Sequence, residues 1–344
     1  MISLLSFIFV IAICVVSHEY GHYLTAKLTG VQVHEFAFGM GPIVWQKPGR
    51  DGTLWSVRIF PIGGFVRLAG MDEEKPGEKV IPGGAFNDKS AIRRFLILFD
   101  GAFFNIVLAV LLTGIFLWGH GIMDLGDTRI GELMDGYPAQ SAGFEVGDRI
   151  ISVDGSSVGD WREMSESIRT GAEKGPVSIT IDRSGREINF NIGIPKDPEF
   201  GYPLLGIRPT MRTFGPAGAF GHAFYYVCEM SLEWVKGIYL LIVNRSQVDL
   251  AGPVGIASMA GHAARAGLWS FISFLAIINL NLGMINLFPF PALDGGRIVF
   301  ILLEILTRRK VPERIENYIH FTGFVFLITL IVFITWKDIA KLFR

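Results

Sequence analysis

The stretch ISLLSFIFVIAICVVSHEYGH, residues 2–22, runs apolar for most of its length and then places two histidines and a glutamate close together. An apolar run of this size approaches the roughly 20 residues that a helix needs to cross a bilayer, so residues 2–17 are expected to form a membrane helix. No small-x-small cleavage site follows them, and His18, Glu19 and His22 sit where a secretory signal would end, so the helix is expected to be retained. On a helix, residues four apart share a face. His18 and His22 can therefore offer two imidazoles to one zinc ion, with Glu19 between them near an attacking water. Ionisable side chains inside a membrane helix are costly unless they pair or bind something, which makes a functional role for this trio the default.

A catalytic zinc held by two histidines takes a third protein ligand and keeps one position open. The segment NLFPFPALDGG, residues 286–296, offers Asp294. Pro289 and Pro291 must interrupt a helix there, and Gly295 and Gly296 allow another backbone to come close. Taken alone, Asp294 reads also as the cap of a broken helix; beside HEYGH that reading is the weaker one. Depth agrees, because residues 2–17 at roughly 1.5 Å each carry His18 toward the far end of its span, and Asp294 lies toward the basic end of a later one. Asn281 and Asn286, in the same apolar run, read equally well as groups that hydrogen-bond between helices. Asn105 reads as packing glue.

Half of the 344 residues are hydrophobic and the net charge is −1. Such a chain is too apolar for an ordinary soluble domain, and with no basic tract it points to a lipid bilayer as partner and away from nucleic acid. Apolar runs at 2–17, 95–118, 268–293 and 319–335 give about four transmembrane helices, hence a polytopic α-helical membrane protein. Residues 29–91 hold Lys47, Arg50, Arg58, Arg67, Lys75, Lys79 and Lys89, with Arg93 and Arg94 just beyond, and are expected on the cytoplasmic side. The cluster Arg308, Arg309, Lys310 and Arg314 agrees with that topology if the amino terminus is outside, which puts residues 120–266 outside too. Cys14 and Cys228, far apart in apolar surroundings, read as packing residues.

Within 120–266, strand-like runs at 128–134, 149–153, 176–182 and 187–192 surround PAQSAG at 138–143 and GDRIISVDG at 147–155. This segment, 126–195, resembles a bacterial PDZ domain inserted between membrane parts 1–125 and 267–344. Residues 196–266 are expected to be a linker and an amphipathic helix at 215–245 lying on the membrane surface, in preference to a fifth span. TLWSVRIF at 53–60, then Pro-Ile-Gly-Gly, then FVRLAG at 65–70 reads as a β-hairpin.

HExxH in a first span, NxxPxPxLDG in a later one and a PDZ-like segment between them resemble the site-2 protease family of intramembrane zinc metalloproteases, in its bacterial regulator-of-sigma-E protease type. FAFGMGP at 36–42, FPIGGFVRLAG at 60–70, FNDKS at 86–90 with Arg93, GAFFN at 101–105 and GPVGI at 252–256 extend the likeness through most of the chain. The best-known members carry two PDZ domains where this chain has room for one, a departure that bears on substrate filtering and not on catalysis. The resemblance implies one Zn2+ per chain on His18, His22 and Asp294, with Glu19 as general base. It implies that Asn281 and Asn286 hold the substrate backbone. The hairpin would dip into the membrane, with Leu54, Trp55, Ser56, Val57, Arg58 and Ile59 forming an exposed edge that pairs with an unwound substrate. It also implies a multi-pass protein of the bacterial cytoplasmic membrane that cuts single-span proteins, such as an anti-sigma factor after a first cleavage, or signal-peptide remnants. The rival readings are a catalytically silent scaffold or chaperone, against which the intact Glu19 argues, and a metal or proton transporter using the same residues.

Overall fold

The computed structural model describes residues 2–71, 74, 78–198, 200–244 and 252–342. The chain opens with α1 (Ile2–Leu28), β1 (Val33–Pro48), β2 (Leu54–Leu68) and α2 (Ala91–Gly119). There follow β3 (Ile122–Met123), β4 (Ile130–Leu133), α3 (Pro138–Ala142), β5 (Arg149–Val153), β6 (Ser156–Ser157), α4 (Trp161–Ala172), β7 (Val177–Arg183), β8 (Arg186–Ile192), β9 (Ile207–Pro209) and β10 (Met211–Arg212). The chain ends with α5 (Pro216–Asn244), α6 (Pro253–Ala266), α7 (Leu268–Leu287), α8 (Asp294–Thr307) and α9 (Glu313–Leu342). Two compact units result: Met1–Phe116 with Pro216–Arg344, and Leu117–Gly215.

In the first unit, α1, α2, α7 and residues Arg314–Ala340 of α9 are long and apolar enough to cross a membrane, four among the described residues. The first helix carries HEYGH and continues to Leu28, so the site lies within a continuous helix. The third ends at Leu287, at the interruption expected from the prolines that follow and short of the end of its apolar run at 293. There Phe288 turns extended (φ −64°, ψ 135°), and Pro289 and Pro291 have no N–H with which to continue a helix. A new helix, α8, then starts at Asp294.

β1 and β2 make a single sheet that differs from the expected hairpin. Residues 54–57 and 65–68 do not pair with each other; both pair with the first half of β1, on opposite sides. Phe36, Ala37 and Phe38 face Val66, Phe65 and Gly64 in antiparallel register, while the same three face Trp55, Ser56 and Val57 with numbers rising together, a parallel arrangement. Residues 45–48 complete the sheet beyond 54–57, with Trp45 opposite Val57 and Pro48 opposite Leu54. The two edges are therefore 64–68 and 45–48. A buried carboxylate helps set this order: Glu35 accepts hydrogen bonds from Ser56 Oγ at 2.6 Å and from the Arg58 guanidinium at 2.6 Å. The outer turns of the sheet are apolar and open, with Val44 66% and Phe60 59% exposed.

Of the remaining helices, α6 packs on α1 so closely that a Cβ at Gly261 would collide with Ser3. In α5, which covers the stretch expected at the membrane surface, Phe220 lies over Gly114 of α2, and Val227 joins Ala109 and Leu280 in one apolar cluster.

The second unit is built on the order β6-β5-β7-β8, with β4 paired to β9 in a separate ladder. Alternation along β7 buries Val177, Ile179 and Ile181, and these pack with Ile130, Ile150, Val153, Met164 and Ile168 into one core. The four expected strands form within a residue or two of their expected places. Beyond 195, expected to be linker, Leu205 enters the core and β9 pairs with β4. A three-residue strand carries too little alternation to be visible in sequence.

Candidate metal centre

Two glycines let α1 and α2 meet backbone to backbone. A Cβ at Gly21 would overlap the carbonyl of Asp100, and one at Gly101 would overlap the imidazoles of His22 and His18. Thr25, one turn beyond, donates to the Asp100 carboxylate. The wall of the centre on the α2 side is thus bare main chain. His22 Nδ1 lies 2.7 Å from the carbonyl oxygen of Ile97, so Nδ1 carries the ring proton and Nε2 presents its lone pair inward.

From the other side, the break after α7 delivers Asp294. Its Oδ2 lies 3.0 Å from His18 Nε2 and 3.3 Å from His22 Nε2, and the two imidazole Nε2 atoms are 3.1 Å apart. Gly295 and Gly296 pack against the carbonyls of Phe288 and Phe290, where a Cβ would not fit. The loop is held by a residue that the sequence did not single out. Ala292 adopts φ +76°, a left-handed conformation that costs a non-glycine residue of order 1 kcal/mol. Its N–H donates to His320 Nδ1 of α9 at 2.9 Å. The advance signal of His320 was an imidazole in an apolar run; Gly101 stood in the family-like string GAFFN, but nothing there showed what it packs against.

The other expected site residues separate. Asn286 places its side-chain amide nitrogen 3.3 Å from His18 Nδ1, against the ring nitrogen that faces away from Asp294. The Asn281 side chain, within α7, forms no hydrogen bond among the described residues. Leu54, Trp55, Ser56 and Val57 do not form an exposed edge, because strand neighbours occupy both sides of them. Ser56 and Arg58 are also engaged by Glu35, and Trp55 stacks on Phe36 at 4.7 Å. Ile59 is exposed at the apolar turn. The edge near the centre is 64–68, where a Cβ on Gly64 would touch Glu19 Cγ at 3.5 Å. The base of the sheet is fastened to the last turns of α1, where Asp51 accepts from Tyr23 at 2.9 Å and pairs with Lys27 at 2.8 Å. Burial opposes ionisation of Asp51, but the Lys27, Thr53 and Tyr23 donors outweigh it and hold the carboxyl below the usual carboxylate range.

His18, His22 and Asp294 fit a zinc ion. Their ligand atoms lie within 4.8 Å of one another, and the buried Asp294 Oδ2 has no hydrogen-bond donor among the described residues. The chemistry is that of a two-imidazole, one-carboxylate set with room for substrate. A second cluster of His34, Glu74 and Glu78 meets the same distance limit, but both Glu78 oxygens are taken by the Arg67 guanidinium, which balances that charge without a metal.

The sequence model of peptidase family M50 matches residues 6–330. The chain belongs to peptidase family M50. Relatives of this M50 protease include a predicted zinc metalloprotease of Fusobacterium nucleatum, 34% identical over 332 residues and covering 95% of each chain. Another from Clostridium perfringens is 33% identical over 332 residues, 94% of each chain. One from Campylobacter jejuni is 31% identical over 354 residues, 99% of this chain and 94% of that one. Among solved structures, the PDZ domain of an SdrC-like protein from Listeria monocytogenes aligns with 24% of this chain and 85% of that domain, at 22% identity and a TM-score of 0.21. The M50 protease is accordingly a zinc metalloprotease of membranes.

Proposed function

We propose that this M50 protease hydrolyses peptide bonds within or near the transmembrane segment of single-span membrane proteins, with His18, His22 and Asp294 holding zinc and Glu19 acting as general base. The observation that carries this reading is the meeting of His18 and His22, on a helix apolar enough to cross a membrane, with Asp294, at the break that follows another such helix, and with Glu19 beside a sheet edge. Zinc, when bound, supplies a Lewis acid that polarises the scissile carbonyl and makes water a nucleophile near neutral pH. Glu19 takes the proton of the attacking water and returns it to the leaving nitrogen. Peptide bonds in a helix are hydrogen-bonded and closed, so the substrate is first drawn out into a strand. The edge at 64–68 pairs with that strand, beside the base, in place of the interior segment 54–57.

If unwinding limits cleavage, Gly and Pro near the scissile bond make it cheaper, by about 1 and 3 kcal/mol respectively relative to Ala. Purified protein given a panel of single-span peptides should cut a Gly-containing span roughly fivefold faster than the same span with Ala or Leu, and a metal chelator should stop both. Equal rates, with the chemical step shown to be limiting, would remove unwinding from substrate choice. Cleavage that survives the chelator would overturn the zinc reading altogether.

The unit Leu117–Gly215 is proposed to be an extracytoplasmic PDZ domain that filters or tethers substrates, including anti-sigma factors trimmed by a first protease or signal-peptide remnants, at the bacterial cytoplasmic membrane. The two basic clusters support that sidedness. In intact cells a cysteine at the exposed Ser156 should react with an impermeant thiol reagent, and one at the exposed Ser90 should not. The reverse pattern would invert the topology.

A further inference from the structure

A cavity of about 460 Å³ opens in the first unit between the start of α2, the body of α8 and the start of α9, lined in part by Arg94, Arg297, Glu304, Lys310, Glu316 and Asn317. Its charge is unevenly satisfied. Arg94 is spent on Glu304 at 2.6 Å and on the Lys89 carbonyl at 3.2 Å. Among the described residues the exposed Lys310 meets only a neutral acceptor, the Asn87 carbonyl, at 3.1 Å. The Arg297 guanidinium forms no hydrogen bond or ion pair among the described residues, although the residue is partly buried. Three cationic side chains thus face two carboxylates, and two of the three have no anion as partner.

The level of the cavity points to what fills it. Arg94 lies in the first turn of the span Ala91–Gly119, and Glu316 and Asn317 in the first turn of Arg314–Ala340. Two spans that begin at one cavity place it at a bilayer surface, where lipid phosphates lie. A guanidinium with an ammonium across a polar cavity is phosphate-binding chemistry, and basic pockets between membrane helices take anionic head groups.

We propose that this cavity binds the phosphodiester head group of an anionic phospholipid, with Arg297 and Lys310 as its cationic contacts. Arg297 is one helical turn from Asp294 on α8, so an occupied head group would brace the helix that carries the third zinc ligand. The proposal does not depend on the reaction assigned above, and its test reads binding.

Native mass spectrometry of the full-length protein, titrated separately with phosphatidylglycerol and phosphatidylcholine, should show the anionic lipid retained about tenfold more tightly. Arg297→Gln and Lys310→Gln should each remove most of that tenfold preference, since a charge-assisted contact is worth about this much, and zinc content should be unchanged. Excess glycerol phosphate should fail to displace the lipid. Equal retention of the two lipids, or a preference that survives in the double variant, would overturn the site. Displacement by glycerol phosphate as effective as by lipid would make it a site for soluble phosphate esters and overturn the lipid assignment.

Discussion

Glu19→Gln is expected to keep the wild-type zinc content and to lose cleavage, with kcat down by about 100- to 10,000-fold, the usual worth of a general base. The amide matches the carboxylate in size and keeps one oxygen as a hydrogen-bond acceptor. It cannot accept a proton from water or hand one to the leaving nitrogen. His18, His22 and Asp294 are untouched. Elemental analysis and a cleavage assay on a transmembrane substrate separate the two effects, and appreciable turnover by the variant would remove Glu19 from the base role.

Asp294→Ala should fail differently, by losing the metal. Two imidazoles remain, but the only anionic oxygen in the cluster is gone, and zinc affinity should fall by more than the roughly 10- to 100-fold typical of losing an outer-shell partner. Gly101→Val provides the companion test. All three ligands persist, yet the new side chain would occupy the space of the His22 and His18 rings, so zinc should be lost here too. Full occupancy in Asp294→Ala would place the third ligand elsewhere, and full occupancy in Gly101→Val would show that α2 can withdraw from α1.

Both variants mark how far the site was legible before the fold was known. HEYGH could be read because its logic is local: four residues make a helical turn, and an apolar flank makes the polar trio conspicuous. Asp294 could be read because Pro289, Pro291, Gly295 and Gly296 announce a broken helix around it. Gly101 and His320 act through neighbours distant in sequence, and nothing in their own surroundings states the partner. The sheet shows the same limit. Alternation correctly marked 53–60 and 65–70 as strands, but it says nothing of what pairs with what. The first half of β1 came between them, with Glu35 engaging Ser56 and Arg58, which turned an expected edge into an interior strand and moved the open edge to 64–68. In the second unit, strands of four to seven residues were legible while the three-residue β9 was not.

The distance along the chain between the halves of the centre has a consequence for how the protein is made. Asn286 and His18, neighbours in space, are 268 positions apart in sequence, and Asp294 follows later still. While a ribosome is still translating the chain, HEYGH has already been made with only two of the three proposed zinc ligands. Contacts of such long separation form late. The growing protein therefore passes most of its synthesis, in the company of other nascent membrane helices, before its hydrolytic centre can be assembled.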